Sequence, residues 1–157
     1  MLLVVGLNAS VRAVVSESDT AAALGSGDVP VLGTPRLLAL AEAAAVAAVA
    51  AQLAPGEITV GTSVTLEHRR ASPVGSGLVV EAELTEVDGR RLVFSFIALR
   101  EEAPGQPGDS DEHVLGAGTI ERVVVSRERF LARATRPPAP PIHDHGRFGG
   151  AEHPNPP

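Results

Sequence analysis

The sequence predicts an α+β domain in which one antiparallel sheet wraps a single long helix. Two observations predict it. Residues 35–53 combine a helix start signal, a nearly unbroken apolar stretch and a Pro-Gly stop. One strand-like segment precedes this helix and four follow it, joined mostly by short turns. A run of strands beside a lone helix marks an α+β domain with an antiparallel sheet.

Residues 10–15 (SVRAVV) read as the first strand. The stretch 16–33 is made irregular by Gly25, Gly27, Asp28, Pro30 and Gly33. Thr34 then reads as an N-cap and Pro35 as the first helical residue. Pro55-Gly56 ends a helix of about five turns. Apart from Glu42, positions 37–51 are apolar on every side, and a helix apolar all round is buried all round. Either the sheet curls about it or a partner covers what the sheet leaves. A sheet curled about a central helix is the hotdog arrangement, and the alanine content suits the tight fit.

The later strands are expected at 59–68, 77–87, 91–101 and 113–126, and in 78–87 and 91–100 polar and apolar residues partly alternate. Asp88-Gly89 is the signal of a type I′ hairpin. The segment APGQPGDSDE reads as a polar, mobile loop, and RERFLARA (127–134) as a short closing helix. From Thr135 the chain is dense in Pro and Gly with almost nothing apolar to bury, so a disordered tail is expected. The organisation is one domain over 1–134 and a tail over 135–157.

Composition narrows the function. The net charge of −6 argues against nucleic acid as the main partner, because a phosphate-backbone binder needs a basic face. The absence of cysteine excludes disulfides, Cys-ligated zinc and thiol nucleophiles. The start MLLVVGLNAS lacks a basic region and is broken by Gly6 and Asn8, which makes a poor signal peptide. Leu37 to Ala51 falls below the roughly 20 residues that span a bilayer. A soluble cytoplasmic protein, with no membrane and no nucleic-acid partner, is expected.

Glu42 is the most informative side chain. A lone carboxylate in an apolar helix costs several kcal/mol unless it is paired. It stands on a solvated stripe, faces a partner subunit, or is a functional buried acid; its apolar neighbours favour the last. Thr34 is accounted for as a structural cap, yet a hydroxyl at a helix N-terminus also sits where a developing oxyanion is stabilised. Eight residues separate Thr34 from Glu42, about 12 Å along the axis, so they need an imidazole between them to act together. His68, at the end of GTSVTLEH, is the candidate; a histidine there is otherwise an ordinary surface residue. Arg69 and Arg70 follow it and would suit the phosphates of a coenzyme. Gly61 marks a bulge, or a close approach to the backbone. His143, Asp144, His145 and His153 form a tail cluster read as incidental, so no metal and no cofactor is expected.

These segments resemble the fluoroacetyl-CoA thioesterase-like family of hotdog proteins over about residues 3–134. The resemblance rests on TPRLLALAEAAA, on GTSVTLEH followed by SPVG, on VEAELTEVDGRRLVF and on GAGTIERVVVSRERF. It implies a homodimer of hotdog subunits with active sites near the interface. It also implies Thr34, Glu42 and His68 as catalytic groups, with His68 the base, and Gly61 and Arg122 as substrate contacts. Two departures stand out. The fluoroacetyl-specific members carry aromatic residues in the lid before the helix, and residues 16–33 here contain none, which argues against selectivity for a fluorinated acyl group. Where those members read GTHER, Ile120 replaces the histidine, while Glu121 and Arg122 remain.

Hydrolysis of a small or medium acyl-CoA thioester is therefore the leading expectation. The alternative is a non-catalytic acyl-CoA-binding hotdog dimer. A dehydratase on the same fold would need an Asp/His pair with a characteristic spacing, which the sequence lacks.

Overall fold

The computed structural model describes residues 2–103, 106–107 and 111–139. Its elements are β1 (Asn8–Val14), a short α1 (Ala21–Leu24), α2 (Thr34–Val49), β2 (Glu57–His68), β3 (Gly77–Asp88), β4 (Arg91–Ala103), β5 (Gln106–Pro107), β6 (Val114–Ser126) and α3 (Arg127–Ala134). The long strands form one antiparallel sheet in the order β1-β3-β4-β6-β2, and β5 pairs with β4. The α+β hotdog expectation holds. Most of the expected tail, residues 140–157, and part of the loop between β4 and β6 lie outside the described residues.

Strand periodicity positions the core. Leu78, Val80, Ala82 and Leu84 of β3 are buried, as are Leu92, Phe94, Phe96 and Ala98 of β4, each set at every second residue. They meet Leu37, Leu40, Ala41, Ala44, Ala45, Ala48 and Val49 of α2. Each buried Leu or Phe contributes roughly 1.5–3 kcal/mol of transfer free energy. Ala41, Ala44 and Ala45 are fully buried, so the helix backbone lies close on the sheet.

Three expectations are corrected. α2 is not buried all round within one chain: Ala39, Ala43, Val46 and Ala47 remain exposed, because the sheet covers a single face. With its following 3-10 turn it runs Thr34–Gln52, 19 residues, long and apolar enough to cross a membrane by length and composition. The N-cap is Gly33, one residue earlier than expected, and no side chain caps the helix. The β3–β4 hairpin pairs Asp88 with Arg91, so its loop is Gly89-Arg90. Only Gly89 has positive φ (58°), which places glycine first in the turn as in type II′, rather than type I′ across Asp88-Gly89.

The β2–β6 seam leaves no room for side chains at two glycines. A Cβ on Gly118 would lie 1.9 Å from the Thr65 carbonyl oxygen, and one on Gly116 would lie 2.6 Å from that of Glu67. Because backbone must move to admit a methyl group there, Gly118→Ala is expected to cost about 2–3 kcal/mol. Urea unfolding measures this; an unchanged midpoint at equal slope would show that the seam is looser.

Candidate active site

The N-terminus of α2 and the end of β2 meet at one place. Thr34 Oγ1 lies 2.9 Å from His68 Nδ1. Because Gly33 serves as the N-cap, the Thr34 hydroxyl is free of capping and engages the ring instead. The last β2–β6 pair, His68 with Gly116, turns the imidazole to the helix side of the sheet. His68 Nε2 is buried and has no hydrogen-bond partner, so Nδ1 alone holds the ring through a side chain. Burial pushes the imidazole pKa below its ordinary 6.5, and the Arg70 backbone opposes this only in part. The ring is therefore neutral at pH 7, the form that can accept a proton from a hydroxyl.

Glu42 stands about two turns further along α2. Its Oε2 accepts a hydrogen bond of 2.7 Å from Arg122 Nη1, with the arginine side chain 7% exposed and the glutamate 36%. Arg122 Nε donates to Thr59 Oγ1 and Nη2 to the Thr59 carbonyl, both at 2.9 Å, which fixes the guanidinium plane. Gly61 sits opposite Arg122 in the ladder, beside a register shift. A Cβ there would come within 2.9 Å of Glu42 Oε2. The close approach that this glycine permits is thus the Glu42 carboxylate itself, and the bulge is present as well. Glu42 is half-buried and paired, not a lone buried acid.

The structure groups the expected residues as two pairs, Thr34 with His68, and Glu42 with Arg122 beside Gly61. Within one chain, His68 does not bridge Thr34 to Glu42: its hydrogen bond goes to Thr34, while the carboxylate bonds Arg122.

A cleft of about 250 Å3 opens over the first pair, lined by Thr34 and His68, by Ala21, Val29, Val31 and Leu32, and by Arg69 and Arg70. The lid segment before α2 is tied down by Asp19, a residue absent from the expected site. The Ser16 N–H donates to Asp19 Oδ2 and the Gly33 N–H to the Asp19 carbonyl, both at 2.9 Å. Arg36 Nε sits 2.9 Å from Asp19 Oδ1. The Ser16 amide, with help from Arg36, holds the Asp19 carboxyl below its usual range. The S-x-x-D spacing of Ser16 and Asp19 was the available signal. Among the described residues no group of three or more metal-ligating side chains converges.

Comparison with known proteins first defines the class. A Thermus thermophilus hypothetical protein, described as a thioesterase superfamily member, has a solved structure similar to this one at a TM-score of 0.71 and 25% identity, over 82% of this chain and 88% of that one. The fold is that of the hotdog thioesterases. The chain belongs to the fluoroacetyl-CoA-specific thioesterase family, which it matches over residues 15–128. It is 38% identical over 103 residues to the fluoroacetyl-CoA thioesterase of Streptantibioticus cattleyicolor, covering 66% of this chain and 67% of that protein. A solved structure of the fluoroacetyl-CoA thioesterase FlK matches at a TM-score of 0.73 and 32% identity, over 87% of this chain and all of that one. The chain is a thioester hydrolase.

The neutral state of His68 sets a pH dependence. If His68 accepts the proton, kcat/KM rises with pH through an apparent pKa below 6.5 and is flat above pH 7. A pH–rate profile still climbing above pH 7 would assign the limb to another group.

Proposed function

We propose that this chain hydrolyses the thioester of a small or medium acyl-CoA, with the Thr34–His68 pair as its reacting groups. The observation that carries this reading is the 2.9 Å contact between a hydroxyl and a neutral imidazole at the floor of an open cleft. In the proposed step, Thr34 Oγ1 attacks the thioester carbonyl carbon while its proton passes to His68 Nδ1. The positive end of α2 stabilises the charge growing on the carbonyl oxygen. As the C–S bond breaks, the imidazolium returns the proton to the departing thiolate. Water then clears the acyl group from Thr34, so the net reaction adds water across the C–S bond and yields a carboxylic acid and the coenzyme thiol.

The acyl group has Ala21, Val29, Val31 and Leu32 as its apolar wall. No aromatic ring stands in this lid, and selectivity for a fluorinated acyl group is not part of the proposal. Glu42 is the third catalytic group by resemblance to the family, and Arg122 holds its carboxylate in place where Gly61 leaves room for it. Glu42→Gln keeps the volume and removes the charge. Its effect on stability should stay near the roughly 1–2 kcal/mol of a charge-assisted hydrogen bond. Turnover in an acyl-CoA chain-length screen should fall by about 10²-fold or more. Near-full turnover would reduce the Glu42–Arg122 pair to a structural role.

The proposal includes a soluble, cytoplasmic homodimer with its sites near the interface. Ala39, Ala43 and Val46 line the face of α2 that the sheet leaves open. At the edge of the sheet, β2 exposes Val64 and, among the described residues, carries no strand on its outer side. A second copy would cover both the apolar stripe and the open edge. Light scattering at micromolar concentration is expected to give the mass of a dimer; a monomer would contradict this part.

A further inference from the structure

We infer that Arg69 and Arg70 form a phosphate-reading rim that holds the coenzyme portion of the substrate at the mouth of the Thr34–His68 cleft. The inference rests on the proposed acyl-CoA reading and assigns residues to the part of the substrate remote from the chemistry.

The backbone brings the two arginines to one place. Consecutive residues of a regular strand point to opposite faces of the sheet. Here the N–H groups of Arg69 and Arg70 both donate to the single carbonyl of Leu115, at 2.7 and 3.2 Å. Two donors on one acceptor is the signature of a bulge, which cancels the alternation. Both residues consequently line the same cleft as Thr34 and His68.

The Arg70 guanidinium is not committed to the fold, and that of Arg69 is held only by an exposed neighbour. Arg70 is exposed, and no side-chain hydrogen bond or ion pair holds it among the described residues. Arg69 pairs with Glu67 at 2.8 Å, but the two side chains are 52% and 72% exposed, and such a pair is worth little. Arg91, Arg100 and Arg122, by contrast, are bonded to carboxylates or carbonyls of the sheet and its connections. In a chain of net charge −6, a weakly held cationic pair one and two residues past the candidate base is a local attractor for anions.

Size and chemistry select the ligand. A cleft of about 250 Å3 admits the reacting end of a thioester, not a whole nucleotide-bearing coenzyme. The remainder must leave over the rim, where forked N–H donors match phosphate oxygens bidentately. The apolar lid wall takes the acyl side of the thioester and the cationic rim the coenzyme side.

The test is calorimetric binding of three probes, CoA, pantetheine and inorganic pyrophosphate, to the intact wild-type chain and to an Arg69→Ser/Arg70→Ser variant. The variant should bind CoA about 2- to 30-fold more weakly, the sum of two exposed charge pairs, with pantetheine binding unchanged. Added salt should weaken CoA binding to the wild type and affect the variant less. Equal CoA affinity in the two proteins would overturn the inference, as would equal losses for CoA and pantetheine. Pyrophosphate binding as tightly as CoA would mark a free-phosphate site and overturn it too. Failure of the wild type to hydrolyse any thioester, with the CoA pattern intact, would remove the catalytic reading and leave the rim. Hydrolysis with CoA affinity indifferent to both arginines would do the reverse.

Discussion

The contact between the alanine face of α2 and the inner face of the sheet sets the position of every functional group in this chain. Ala41, Ala44 and Ala45 are fully buried and present only a methyl group, so the helix lies close on β1, β3 and β4. That closeness has two consequences. It brings the first turn of α2 within one hydrogen bond of the end of β2, where Thr34 meets His68. It also leaves the Glu42 carboxylate so near β2 that a Cβ at position 61 would displace it. Larger residues on the buried face would push the helix away and open both contacts together.

Charge is handled differently in the two pairs. Arg122 is buried, and a buried guanidinium is tolerated only when its donors are satisfied. Thr59 and Glu42 satisfy them, and the pairing orients the carboxylate as a by-product. His68 instead stays neutral because burial penalises the imidazolium, and its one side-chain bond goes to a hydroxyl. Opposite solutions to burial, an ion pair in one place and a depressed pKa in the other, leave a fixed carboxylate at one pair and a neutral imidazole at the other.

Most of the fold was legible in the sequence because the signals were local. The Pro-Gly stop, the alternation at Leu78–Leu84 and the amphipathic RERFLARA segment each specify their own element. What the sequence could not show depends on relative placement. Apolar residues all round α2 read as burial all round, but a single sheet covers one face, and Ala43 and Val46 remain open. Thr34 had every property of a cap, yet the chain enters the helix at Gly33, and that shift of one residue turns a capping hydroxyl into a partner for His68. Gly61 was ambiguous between a bulge and a close approach, and it serves both. The Asp19 tether reaches Gly33, fourteen positions away, through a backbone amide, which side-chain pattern alone does not reveal.

The central claim is that Thr34 and His68 act as one unit on the thioester. A double-mutant cycle on kcat/KM, with Thr34→Ala, His68→Ala and the double variant assayed on the best acyl-CoA substrate, tests it most directly. Groups that share one proton transfer lose their effect together, so the double variant should be no slower than the worse single variant by more than a few-fold. Fully multiplicative losses would mean that the two side chains contribute independently, and would contradict the account.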